Sequence, residues 1–249
     1  MKRVLLFSIL CTTSLLIYFF YVRIPIITGS LTKQTIYLSF LNSFHCKNAN
    51  AEPCFMLIDD DSGIGIFKIH EICERIGIKA TFAVVPATLD STRCNALKIW
   101  RQEGYSIALH SYNHGRWKDW ETTDIVSDIK KSLVFLEKND IASKDDIKIV
   151  VTPGFYNTNN IRKAIYSQNY KMVMGANIVN PDTTTFQWGR LFITKDTDIF
   201  KIQSILERAK KESGFIILGT HSSNSNEFSA EKTEEILRMV VKLGFKTYQ

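Results

Sequence analysis

From Phe55 onward the chain alternates short apolar runs with segments of helical period, and few folds accept that rhythm. The runs at 55–58, 81–85, 106–109, 147–151, 171–174, 191–193 and 215–218 predict strands. Between them, 66–76, 94–103, 124–138, 160–167, 199–211 and 231–243 have amphipathic spacing. In the third of these, Ile125, Ile129, Leu133 and Leu136 recur at intervals of three and four, which gives a helix one buried stripe. Gly77, Gly104, Gly214 and Gly244 stand where C-terminal caps would fall. Strands alternating with helices build a largely parallel sheet covered by helices. Seven of them suggest a closed or nearly closed (β/α) barrel more than an open doubly wound sheet, and such barrels gather their chemistry at the C-terminal strand ends.

The N-terminus follows a different rule. Lys2 and Arg3 precede an uncharged run at 4–22, and Arg23 closes it. Nineteen residues rising about 1.5 Å each just cross a hydrocarbon core of roughly 30 Å. A cleavable signal would want small residues near 18–23, and a lipoprotein site would want them before Cys11, where Ile9 and Leu10 stand instead. An uncleaved transmembrane anchor over 1–23 is therefore expected, with its positive end inside and the rest exported. Residues 24–52 then form a juxtamembrane connector, and 53–249 a single exported domain.

Composition removes some partners. Of the net charge of +6, three charges flank the anchor, and no dense Lys/Arg stripe interleaved with aromatics appears elsewhere. Nucleic acid is not an expected partner. Outside the anchor lie Cys46, Cys54, Cys73 and Cys94. Export permits disulfides, Cys46–Cys54 being the closest pair in sequence, while the alternative leaves Cys73 and Cys94 as buried thiols. No CxxC pair supports a zinc–thiolate site. Oligomeric state is left open.

Three features at strand ends carry chemistry. Asp59-Asp60-Asp61 crowds three carboxylates after the first strand, a cost that a cation or a shared proton relieves. His110-Ser111-Tyr112-Asn113-His114 follows the third strand and holds two imidazoles four residues apart, a spacing that can close on one ion. Gly219-Thr220-His221 ends the last strand. Each has an ordinary reading: an acidic loop, a chance pair, a helix-capping histidine. In a barrel, however, these strand ends converge on one cleft. One Asp and two His leave coordination positions open, as a catalytic divalent site does, and a second Asp and His221 remain to move protons.

The order of these segments resembles the polysaccharide deacetylases of carbohydrate esterase family 4, the NodB-homology domain. The likeness runs from about Phe55 to Phe245. Ile58-Asp59-Asp60 is similar to the family's aspartate pair, and Lys79-Ala80-Thr81-Phe82-Ala83-Val84 to its second strand. The segment Gly104-Tyr105-Ser106-Ile107-Ala108-Leu109-His110 through His114 is similar to its histidine motif, and Ile216-Ile217-Leu218-Gly219-Thr220-His221 to its last.

The resemblance implies a distorted (β/α) barrel that removes N-acetyl groups from an extracytoplasmic, GlcNAc-containing polysaccharide with a divalent metal. Carried over, Asp59 is the general base, Asp60, His110 and His114 are the metal ligands, and His221 is the general acid. A backbone N–H near Gly154 would hold the oxyanion. The third Asp leaves a second register open, with Asp60 and Asp61 in these roles. Ile58 favours the first, since it keeps an apolar residue before the pair. An Asp and two imidazoles suit Zn²⁺, with Co²⁺, Ni²⁺ or Fe²⁺ admissible.

One departure stands out. The family often carries an Arg, one residue, then Pro and an aromatic at the end of the fourth strand, the Arg orienting the catalytic Asp. Here Val150-Val151-Thr152-Pro153-Gly154-Phe155-Tyr156 keeps Pro153 without the Arg. Arg190, in Trp188-Gly189-Arg190 before a late strand, is the candidate to replace it from another loop; a surface salt bridge is the alternative. Trp117, Trp120, Tyr156 and Trp188 are candidate sugar-stacking residues, though aromatics are as often core. Two rival functions remain: a same-fold amidase or esterase acting on a non-glycan, and a membrane-tethered glycan-binding protein that has lost catalysis.

Overall fold

A computed structural model describes residues 52–175, 179–180 and 182–248, all within one compact unit, Lys47–Gln249. The expected anchor and connector lie outside the described residues. Among the described residues, no helix is long and apolar enough to cross a membrane.

The strands are β1 (Cys54–Asp59), β2 (Thr81–Val84), β3 (Ser106–Leu109), β4 (Ile149–Val151), β5 (Lys171–Gly175), β6 (Gln187–Phe192), β7 (Phe215–Thr220) and β8 (Lys246–Thr247). The helices are α1 (Ile66–Ile76), α2 (Ser91–Gln102), α3 (Thr122–Lys138), α4 (Asn159–Ser167), α5 (Ile199–Lys211) and α6 (Ala230–Lys242). Each expected element is present. The largest shift is β6, which begins four residues earlier than its apolar run and so takes Arg190 into the strand. Capping follows local chemistry: Asp90, Thr158, Asp198 and Ser229 each accept a backbone N–H from the first turn of the helix they precede. Gly77, Gly104 and Gly244 adopt positive φ after their helices, but after α5 that conformation falls on Ser213 rather than Gly214.

All strand pairings in the sheet are parallel, and β1 pairs with both β2 and β7, so seven strands close into a barrel. Closure is uneven. The strands β1 and β2 pair only at Ile58↔Thr81 and Asp59↔Phe82, and β6 and β7 only at Leu191↔Leu218 and Phe192↔Gly219. The contacts use the C-terminal ends of β1 and β6, the first against the start of β2, so the earlier parts of β1 and β6 have no partner in β2 or β7 on those sides. Two devices fill the gaps. The short β8 pairs with the start of β1. Asn180 bridges the start of β7 through its backbone, while its side-chain amide exchanges two 2.8 Å hydrogen bonds with Gly189. Backbone groups that a regular ladder would have satisfied are thereby satisfied locally.

The barrel interior is filled from every strand: Met56 and Ile58, Ala83, Ala108, Ile149 and Val151, Val173, Trp188, Phe215 and Ile217. Alternation then sends Phe55 and Leu57 to the opposite face, under the helices, where they are equally buried. This parity decides which strand-end side chains meet.

Candidate metal-dependent active site

Continuing the interior parity past the last rungs places Asp60 after Ile58, His110 after Ala108, Arg190 after Trp188 and His221 after Ile217 and Gly219. These four side chains share the mouth of the barrel. Asp59 falls on the other parity, opposite Thr220 in the β1–β7 register.

Asp60 is fully buried and receives Arg190 Nη1 on Oδ1 at 2.7 Å. Its Oδ2 has no hydrogen bond, with His221 Nε2 at 3.3 Å and His110 Nε2 at 3.9 Å as its nearest imidazole nitrogens. Burial alone would raise this carboxyl's pKa, but the Arg190 guanidinium, then His110 and His221, outweigh it and hold it below the usual carboxylate range. The Arg190 guanidinium lies over two neighbouring aromatic rings, 5.1 Å from the Phe155 ring centroid and 4.5 Å from that of Phe192. Its aliphatic stem passes Gly219, where a Cβ would stand 3.1 Å from Arg190 Cδ. The residue at 219 is small because an arginine fills the space.

His221 carries acidic neighbours on both ring nitrogens, Asp60 as above and Glu227 Oε2 at 3.4 Å from Nδ1. Burial would lower its pKa; the close negative charge of Asp60, then of Asp61, overcomes that and raises it. Phe192 packs on the ring at a centroid distance of 4.7 Å.

A second cluster adjoins the first. Asp61 Oδ1 lies 3.3 Å from His110 Nε2 and 3.5 Å from His114 Nε2. His110 Nδ1 is 3.0 Å from the Val151 carbonyl, an acceptor, so this nitrogen carries the proton and Nε2 presents a lone pair. His114 is drawn toward its neutral form by burial and by His110. The Asp61 carboxylate and the His110 Nε2 lone pair therefore face each other, with the His114 ring beside them. Asp61 Oδ1 and His110 Nε2 are buried and lack hydrogen bonds, and Asp61, His110 and His114 offer ligand atoms all within 4.8 Å of one another. That donor set fits a divalent cation.

Local backbone holds this set open. Asp61 and Ser62 both take positive φ, as do Ser111 and His114. The Ser62 hydroxyl accepts the Val85 N–H, and its carbonyl accepts Arg93 Nη1. Asp128 on α3 accepts the Tyr112 N–H from beneath the histidine loop.

The geometry differs from the preferred register by one residue. Asp61, not Asp60, joins the two imidazoles, and Asp60, not Asp59, meets Arg190 and His221. The physical reason is the pleat: Ile58 faces the interior, so the next interior residue is Asp60. Arg190 does reach the aspartates, but from within β6 and not from a loop. Trp188 is 1% exposed and packs on Phe215 and Tyr248 in the barrel, and Trp117 is fully buried, so neither is free to stack on a sugar. Pro153 is buried, while Gly154 is exposed in a short turn with φ 61° and Tyr156 is half-buried, its ring 5.5 Å from Lys118 Nζ. Phe155, Phe192, Ser222 and Glu227 were not singled out by sequence; only Phe155, beside Pro153, carried any signal. Cys73 and Cys94 are separate buried thiols, and Cys46 lies outside the described residues.

The fold is thus a parallel seven-stranded (β/α) barrel whose mouth holds an Asp–His–His cluster beside a buried Asp–Arg pair. The polysaccharide deacetylase family model matches residues 47–173, and the chain belongs to that family. No curated protein matches it in sequence. Solved structures of the same fold include a family 4 carbohydrate esterase from Streptomyces lividans in complex with acetate (TM-score 0.58, 13% identity, 80% of this chain and 93% of that one). An acetyl xylan esterase from Clostridium thermocellum with a cobalt ion has TM-score 0.57 and 14% identity over 78% and 87%. A family pseudoenzyme from Bacillus anthracis has TM-score 0.55 and 16% identity over 79% and 63%.

Proposed function

We propose that this chain is a metal-dependent hydrolase that removes N-acetyl groups from a GlcNAc-containing polysaccharide outside the cytoplasm, tethered by an N-terminal membrane anchor over 1–23. The observation that carries the reading is the convergence of three ligand atoms, from Asp61, His110 and His114, beside an ionised Asp60 and a protonatable His221. A binding module needs no such combination.

In this reading Asp61, His110 and His114 hold the ion, Zn²⁺ before Co²⁺, Ni²⁺ or Fe²⁺ by ligand type. The ion supplies Lewis acidity, which acidifies water and polarises an acetyl carbonyl. Asp60, kept ionised by Arg190, takes the proton of the attacking water on Oδ2, its one oxygen without a hydrogen bond. His221, its pKa raised by its acidic neighbour Asp60, gives its proton to the departing sugar nitrogen. The exposed turn at Gly154 is the proposed source of a backbone N–H for the acyl oxygen. Trp120 and Tyr156 are the half-buried aromatics of the expected set, and Tyr156, beside that turn, is the one proposed to flank a sugar ring.

The test is acetate release by the 47–249 unit from N-acetylglucosamine oligomers and from peptidoglycan, with and without chelator. Release that chelator abolishes and Zn²⁺ restores supports the reading. Release only from acetate esters would replace it with an esterase, and glycan binding without any release would replace it with a binding protein.

A further inference from the structure

Asp59 is a buried carboxylate that the proposed reaction leaves unused. It sits on the outer parity of β1 and is 0% exposed. Its Oδ1 accepts Thr220 Oγ1 at 2.7 Å and the Ser222 N–H at 3.0 Å, and its Oδ2 accepts Ser222 Oγ at 2.5 Å. All three donors come from the two residues that flank His221. They lie where the β1–β7 ladder ends: Asp59↔Thr220 is its last residue pair, and the Asp60 N–H to Thr220 carbonyl bond (3.0 Å) its final rung.

Beyond that rung no strand pairing holds the chain of residues 221–222. A buried carboxylate is costly to desolvate, and an apolar side chain would fill this outer position without that cost. What the carboxylate adds is direction. Two hydroxyls and one N–H, on both sides of His221, are drawn to a single group carried by β1, the strand that also carries Asp60 and leads into Asp61. The backbone that carries the imidazole cannot shift relative to β1 without breaking bonds on one flank or the other.

We propose that Asp59 is a positioning residue for His221, a clamp that registers the proton donor of β7 against the acidic end of β1. The inference rests on the reading of His221 as the donor to the leaving group. A clamp of this kind matters only when the leaving group needs a proton. Amide hydrolysis expels an amine that must be protonated; an activated aryl acetate expels a phenolate that need not be.

The experiment compares Asp59→Leu, Asp59→Asn and the double variant Thr220→Val/Ser222→Ala with His221→Gln on acetylated glucosamine oligomers and on 4-nitrophenyl acetate. Expected for Asp59→Leu is a fall in kcat of about 100-fold on the amide, KM nearly unchanged, and little loss on the aryl ester, as for removal of a general acid. Asp59→Asn, which keeps an acceptor oxygen, should recover much of the amide rate. Combining Asp59→Leu with His221→Gln should cost nothing beyond His221→Gln alone. Equal losses on both substrates, or a full amide rate, would overturn the clamp. An arm independent of turnover follows the His221 side-chain nitrogens by NMR, assigned through His221→Gln. Asp59→Leu should shift or broaden His221 while leaving His70 in place, and an unmoved His221 resonance overturns the proposal. If the parent protein hydrolyses neither substrate, the hydrolase reading fails and this arm alone decides the clamp. If Asp59→Leu does not fold, the Thr220/Ser222 double variant carries both arms.

Discussion

At the residue scale the site divides three adjacent aspartates among three environments. Asp61 meets two imidazoles, Asp60 meets a guanidinium, and Asp59 meets hydroxyls. This division predicts separable losses. Asp61→Ala should abolish tight Zn²⁺ binding, measured by calorimetry on metal-free protein, whereas Asp60→Asn should keep the ion and lose turnover by about 100-fold or more. Equal Zn²⁺ affinity in both variants would contradict the assignment. The Asp60–Arg190 pair is buried on both sides, so stranding either partner should cost about 3–5 kcal/mol in urea unfolding. Replacing both, as Asp60→Leu with Arg190→Met, should be less costly than either single change. His221 supplies the pH dependence. Its folded pKa is raised, so the protonated donor is fully present below that value and is lost as pH rises through it. The basic limb of kcat/KM should therefore fall above pH 6.5, the ordinary imidazole value of about 6.5 being the lower bound.

At the scale of elements, two loops and one wedge do the positioning. The loop from β1 to α1 lies directly on the loop after β7: a Cβ on Gly65 would stand 2.0 Å from the Ser222 carbonyl oxygen. Gly65→Ala must push the metal-ligand loop off the His221 loop, so it should lower acetate release more than a surface alanine substitution does. Wild-type turnover in Gly65→Ala would show that the two loops need not touch. Below, Asn180 fills the gap between β6 and β7. Asn180→Leu would leave the buried Gly189 N–H and carbonyl without partners, at about 1–3 kcal/mol for each group, measured as a lowered denaturation midpoint.

The elements themselves were readable before any coordinates. Helix α3 was legible because its apolar residues recur on one stripe, and β7 because Phe215 to Leu218 is continuously apolar. That same continuity hid the register. In a parallel barrel strand both faces are buried, so Phe55-Met56-Leu57-Ile58 carries no mark of which residues face inward. Without that mark, Ile58 before the aspartates could be counted either way. The start of β6 is hidden in the sequence for the opposite reason: Gln187, Gly189 and Arg190 look like loop residues, and only a buried acid on another strand makes an interior arginine tolerable.

At the scale of the whole molecule, sequence alone determined the inventory and its order: seven strands, six helices, an acidic triplet, a histidine pair and a last histidine, each at a strand's C-terminal end. Those follow from local periodicity and from the rule that parallel strands present their chemistry at one end. Which aspartate meets the histidines, and that Arg190 of β6 reaches Asp60 while β4 offers only Val151, were decided only by closure of the barrel. Closure sets the inward parity of every strand at once, through pairings between residues as far apart as Asp59 and Thr220. No single segment contains that information, because a pleat has two equivalent faces until its neighbours choose one.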